Sequence, residues 1–144
     1  MSAFDSGFTS AFGSIARTTD VLGLTKLREA MRDLLQAELP ADIGVFDSIP
    51  DSIAPPSVYV AWSNPWLVST TFCQYVSNLQ LICVAARIEP GGQYAVLESM
   101  VGEILTVLQT NHIAVRDATS PYPLALAGVN YLAASINIVE EIGG

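Results

Sequence analysis

Residues 52–86 read SIAPPSVYVAWSNPWLVSTTFCQYVSNLQLICVAA, thirty-five positions without a single Asp, Glu, Lys or Arg. Gln, Asn, Ser and three prolines interrupt the run too often for a membrane span. Its β-branched and aromatic content predicts instead two strands, Ser57 to Trp62 and Thr71 to Ile88. Between them, Ser63 to Ser69 carries Asn64 and Pro65 and reads as the connecting loop, with Trp62 and Trp66 at the hairpin tip. Strands this poor in charge lack the usual guard against pairing with other chains, so the stretch implies a partner.

Alternation along the second strand divides it into faces. Cys73, Tyr75, Leu79, Leu81, Cys83 and Ala85 share one face, whereas the other begins polar with Gln74, Asn78 and Gln80 and turns apolar at Ile82 and Val84. One half of that strand is therefore expected to be covered on both sides. On a continuous strand Cys73 and Cys83 stand roughly 33 Å apart at the usual rise per residue, too far for a disulfide.

Working outward, Leu27, Ala30, Met31, Leu34 and Leu35 form an apolar stripe that predicts a helix from Lys26 to Leu39, capped by Thr25 and ended by Pro40. A short strand, Ile43 to Phe46, and a Pro-rich loop, Ser48 to Pro56, lead into the uncharged stretch. After it, Pro90, Gly91 and Gly92 break the chain before a second helix, Gln93 to Thr110, with Leu97, Met100, Val101, Ile104, Leu105 and Leu108 at helical spacing. A strand near Ile113 to Ala118, a loop through Pro121 and Pro123, and a last strand from Gly128 to Glu140 complete the set. Leu132, Ala134, Ile136 and Ile138 share a face there. These elements predict one α+β domain over residues 25–144, a mostly antiparallel sheet of four to five strands with two amphipathic helices packed on it. Ahead of it lies an arm, residues 1–24, whose Phe4, Phe8, Phe12 and Ile15 would align on one helical face.

Charged residues make up 14% of the chain, against roughly 25% in an ordinary soluble domain. A surface so poorly ionised predicts a subunit with protein contacts on several sides. The net charge of −8, with six basic residues scattered along the chain, argues against direct binding of nucleic acid. No sequon and no basic-then-apolar N-terminal segment is present, so a reducing cytoplasm is the expected site of folding.

The chemistry-bearing residues are sparse. His112 is the sole histidine, which removes a His dyad, a Ser-His-Asp arrangement and a multi-His metal site within one chain. It reads as a helix-terminus residue. Gly91 and Gly92 lack a nearby lysine and read as a turn rather than a phosphate loop. Glu98 and Glu103 are five apart on a helix and diverge. Asp42, Asp47 and Asp51 cluster in one loop, which with the two tryptophans leaves open a small cytoplasmic ligand-binding domain or enzyme. No cofactor and no metal is expected, and the chain reads as a non-enzyme.

Particular stretches carry a likeness beyond pattern. Leu27-Arg28-Glu29-Ala30-Met31-Arg32-Asp33-Leu34-Leu35, then Val45-Phe46-Asp47-Ser48-Ile49-Pro50, then Pro56-Ser57-Val58-Tyr59-Val60, and later Ile88-Glu89-Pro90-Gly91-Gly92 leading into Ala95-Val96-Leu97-Glu98, follow one another in an order that resembles the tail terminator (tail completion) proteins of long-tailed phages. The resemblance covers about residues 25 to 142 and excludes the aromatic arm. It implies a virion protein assembled in the host cytoplasm: a ring, hexameric in that family, that caps the head-proximal end of the tail tube and stops its polymerisation. Such a ring presents a docking surface to the head–tail connector and lets DNA pass through its lumen without specific binding, with no membrane involved. Connector and neck proteins of the same particles are similar small α+β subunits and form the alternative. Under this reading the contact residues are Phe4, Phe8, Phe12, Trp62, Trp66 and Phe72, and the lumen-facing acids are Asp47, Asp51, Glu140 and Glu141.

Overall fold

A computed structural model describes residues 22–71, 74–88 and 94–143. In chain order the elements are α1 (Leu24–Glu38), β1 (Gly44–Phe46), β2 (Ser57–Thr71), β3 (Gln74–Arg87), α2 (Tyr94–Thr110), β4 (Val115–Ala118), β5 (Tyr122–Leu126) and β6 (Val129–Gly143). They build the α+β architecture read from the sequence, with six strands where four to five were expected: the sheet runs in the order β1-β2-β3-β6-β4, with β5 also on β6. Only β1 and β2 run parallel; every other pairing is antiparallel. Phe4, Phe8, Phe12 and the rest of the arm to residue 21, together with Phe72, Cys73 and the Pro90–Gly92 break, lie outside the described residues.

The period-two pattern of β3 sorts its side chains as read. Leu79, Leu81, Cys83 and Ala85 join Val58 and Val60 of β2 and Ala134, Ile136 and Ile138 of β6 under the helices. From above, α1 contributes Met31 and Leu35, and α2 contributes Leu97, Met100, Ile104 and Leu108. Ala30, placed on the α1 stripe by spacing, is exposed. On the opposite face Ile82 and Val84 meet Tyr59, Tyr131 and Ala133, roofed by Ile53 of the Pro-rich loop and by Tyr122 and Leu124 of β5. The doubly covered half of β3 is thus closed by a loop on one flank and an extra strand on the other.

Several boundaries shift by a residue or two, and four differences from the sequence reading bear on the sheet and its helix. Helix α1 starts at Leu24, so Thr25 is inside it. Gly23, left-handed at φ 74°, precedes the helix with no side-chain cap bond, a backbone conformation that glycine adopts without steric cost. Strand β5 lies where Pro121 and Pro123 predicted a loop. Among the described residues it is an outer strand paired only to β6, and proline is tolerated where no partner needs its missing N–H. Its register with β6 closes a two-residue turn, Ala127 (φ 51°) and Gly128 (φ 79°), and left-handed backbone at both positions marks a type I′ hairpin. Third, β6 continues past Glu140 to Gly143. The largest change is in β2, which does not end at Trp62 but runs to Thr71, so the turn into β3 falls after Thr71 and the tryptophans sit mid-strand.

The Cys83 thiol is fully buried and free, and burial pushes its pKa from an ordinary 9.0 up to about 12. The native state holds this proton where the unfolded chain releases it. The associated stability is therefore complete below pH 9 and is lost as pH rises through 12. The unfolding free energy from urea denaturation should fall across that window with a slope approaching about 1.4 kcal/mol per pH unit from this thiol alone, and Cys83→Ala should flatten the fall. Tyr59, raised by burial and by the neighbouring Tyr122, adds an alkaline loss of the same sign that Cys83→Ala leaves in place.

Candidate functional site

The sheet is not uniformly covered. Strand β1 accompanies β2 only over Ser57–Tyr59, and β4 accompanies β6 only as far as Ile138. Beyond those points β2, β3 and β6 continue as a three-stranded ribbon, with Leu67 opposite Ser77 and Ser77 opposite Glu140, ending at Thr71, Gln74 and Gly143. Four rows at the usual rise make an overhang of roughly 13 Å. No described side chain on it belongs to the cluster beneath the helices; Ser77 in its first row is buried, whereas Val68, Ser69, Thr70 and Gln74 are exposed.

A bulge marks the root. Between Trp62 opposite Leu79 and Leu67 opposite Ser77, β2 advances five residues while β3 advances two. Ser63, Asn64, Pro65 and Trp66 take up the excess, which the outer edge permits because β1 has already ended. Asn78 lies beneath and is 2% exposed. Its Nδ2 donates to the Pro65 carbonyl at 2.8 Å, and its Oδ1 accepts from the Arg116 guanidinium of β4. The bulge thereby holds Trp66 over Trp62, ring centroids 5.4 Å apart and tilted 35°. Trp62 packs on the helix-side core, whereas Trp66 is 47% exposed. The two tryptophans do come together, at a strand bulge rather than at a hairpin tip.

A polar track runs beside this root on the face away from the helices. Asn137 Oδ1 accepts from Ser63 Oγ at 3.0 Å and Gln80 Nε2 at 3.2 Å, and its Nδ2 donates to Asp117 at 2.5 Å. Tyr122 and Ser135 share a hydroxyl hydrogen bond of 2.6 Å, and the Ser135 N–H donates to Thr119 Oγ1. These groups satisfy one another and tie β4, β5 and β2 to β6. They serve as a frame for the overhang and leave no nucleophile or acid aimed at a cavity.

The acids singled out in the sequence do not converge. Asp47 is held by α1: Arg32 Nη1 lies 3.1 Å from its carboxylate, and Arg28 Nη1 donates to its carbonyl at 2.8 Å. Asp51 is exposed in the following loop. Glu140 lies on the β6 overhang opposite Ser77, whose hydroxyl donates to its carbonyl, with Glu141 next along the strand opposite Val76. Three strand spacings and four rows separate Asp47 from Glu140, roughly 20 Å. Glu140 is therefore distant from the loop acids within one chain.

His112 occupies the position its place in the sequence implied. It is left-handed at φ 59°, its N–H donates to the Gln109 carbonyl, and the Ile113 N–H donates to the Leu108 carbonyl at 2.9 Å. Those two bonds are the Schellman pair that closes a helix C-terminus. The small-molecule alternative required the tryptophans and loop aspartates to share a pocket. A shallow cleft of about 570 Å³ lies instead beside α2, lined by Pro40, Asp42, Ile43, Ala95, Met100 and Glu103 among others, without Trp62 or Trp66. Among the described residues no three His, Cys, Asp or Glu side chains group as a metal site, and no helix is long and apolar enough to cross a membrane.

Asn78, Arg116 and Asn137 are the site residues that sequence reasoning missed. Asn78 was visible as a polar residue on the second face of β3, but its partner at Pro65 depends on a bulge that an Asn-Pro pair also signals as an ordinary turn. The chain matches no protein-family model and no curated protein.

Proposed function

We propose that the chain is a structural ring subunit of a long-tailed phage, capping the head-proximal end of the tail tube and offering the head–tail joining surface. The observation that carries this reading is the overhang itself: three strands extend past their flanking strands, no described side chain there joins the cluster beneath the helices, and the β2 stretch within them carries no ionisable residue. Among the described residues no strand pairs with the two outer edges there, which a surrounding ring satisfies. The element order and the segments that resemble tail terminators support the same reading, as does a negative chain whose ring would repel DNA from its wall. The stop to polymerisation is geometric: one face of the ring matches the last tube layer and the other lacks the surface that would seed another.

Electron microscopy of the purified protein mixed with tail tubes tests this directly. Rings on tube ends are the expected result; compact monomers that leave tubes uncapped would overturn the reading. Trp66→Ala should weaken capping by about 2 kcal/mol, roughly thirtyfold in affinity. Because the side chain is half exposed in the subunit, the denaturation midpoint of the free protein should scarcely move.

A further inference from the structure

The overhang is open on both sides, and the two sides fit one another. On its β2 side, Leu67–Thr71 has β3 as its sole strand partner among the described residues; on its β6 side, residues 139–143 likewise pair only with β3. The last backbone bond on that second edge is the Val139 N–H to the Ala114 carbonyl. Both edges run along the same four rows, the β2 edge with one extra residue between Ser69 and Thr71. Both are antiparallel to β3 and therefore parallel to each other, and the rows Leu67–Ser77–Glu140 and Ser69–Tyr75–Ile142 set them at the same height. A copy of the chain placed alongside brings its β6 edge to this β2 edge with matching length and direction.

Charge selects among the possible contacts. A β6-on-β6 contact would set the sequence pair Glu140 and Glu141 against its own copy, and like charges across strands are destabilising. A β2-on-β2 contact avoids charge but leaves both β6 edges open. Only β2 against β6 sets the glutamates level with the uncharged Leu67 and Val68 and satisfies both edges of the overhang. Past the bulge at Pro65, the β2 edge carries neither the lysines nor the prolines with which monomers protect such edges, and its one irregularity, between Ser69 and Thr71, falls at its far end. The N-terminal side of the same strand is already covered by β1.

We propose that neighbouring subunits join by parallel β-pairing of Leu67–Thr71 on one copy with residues 139–143 on the next, a head-to-tail contact that carries the sheet from subunit to subunit around the ring. This rests on the ring reading above and specifies its seam. A heterologous contact of this kind presents a donor edge and an acceptor edge on every copy, so it continues until the ring closes.

Cysteine cross-linking tests it in a full-length Cys73→Ser background, where Cys83 stays buried. Ser69→Cys is combined in turn with Glu140→Cys, Glu141→Cys and Ile142→Cys, which covers a shift of register between copies. Oxidation is carried out on free protein and on protein added to tail tubes. At least one double variant should give a reducible ladder from dimer upward to one largest closed species. A mixture of the two corresponding single variants should stop at dimers, because each chain then carries one end of the seam. Dimers formed by Ser69→Cys alone would overturn the proposal in favour of a two-fold β2 contact. Failure of every double variant to cross-link, free or on tubes, would overturn it in favour of another occupant of the edge. The two readings separate cleanly: capped tubes without cross-links remove the seam and keep the ring cap, whereas a ladder with uncapped tubes keeps the seam and removes the tail function.

Discussion

Leu81→Ala should lower the unfolding free energy by about 3–4 kcal/mol, the largest loss expected from a single side chain in the sheet. Leu81 is wholly buried on β3, the strand with partners on both sides along its length, and its neighbours across the sheet are Val60 and Ile136. Both of those are themselves buried in the cluster beneath α1 and α2. Truncation there removes apolar burial and leaves a cavity that β-strands locked on either side have little freedom to close. Urea denaturation measures it: the midpoint should drop while the slope stays unchanged, since the surface exposed on unfolding hardly alters. Val68→Ala, the same kind of truncation at a position 39% exposed on the overhang, should lower the unfolding free energy by about 0.5 kcal/mol or less. A Leu81 variant as mild as Val68→Ala would mean that the core is not centred where the two faces of β3 place it.

That contrast also measures how far the sequence could be read. Leu79, Leu81 and Cys83 on one side of β3, and Ile82 and Val84 on the other, are dictated by alternation, and the helix stripes by spacing, because burial is what those patterns record. Punctuation is less certain than pattern. Asn64-Pro65 and Pro121/Pro123 are turn signals in general, yet here the first sits in a bulge and the second in an outer strand, two places where a sheet accepts proline. Whether a proline ends a strand depends on whether a neighbour needs its N–H, and that is a property of the assembled sheet. The meeting of Trp62 with Trp66 was foreseen for the wrong reason. The separation of Asp47 from Glu140 could not be foreseen at all, since it depends on strand order, which β6 sets by pairing beside β3 rather than at an edge. The uncharged stretch did point to the region where a partner is now proposed, because the lack of charge is a feature of the outer edge of β2 itself.

Asn78→Ala should cost about 2–3 kcal/mol and, unlike Leu81→Ala, should also disturb the surface proposed for assembly. Asn78 is nearly inaccessible, opposite Val139 on β6, and spans three elements by bonding the Pro65 carbonyl of β2 and the Arg116 guanidinium of β4. Alanine cannot replace either bond, so a carbonyl and a cation are left without this partner at the edge of the core, where desolvation makes the loss larger than that of an exposed hydrogen bond. With its anchor gone, the Ser63–Trp66 bulge loses the contact that fixes its path, and Trp66 should no longer be held at 5.4 Å over Trp62. Three measurements follow together: a lower urea midpoint, a change in tryptophan emission with easier quenching by acrylamide, and weaker capping of tail tubes. Trp66→Ala, by contrast, should weaken capping and leave the midpoint nearly unchanged, so the pair of variants separates the anchor from the residue it positions. An Asn78→Ala protein with native midpoint and native tryptophan emission would show that the bulge is held by its own backbone, and the overhang would then need a different account of how its root is kept in place.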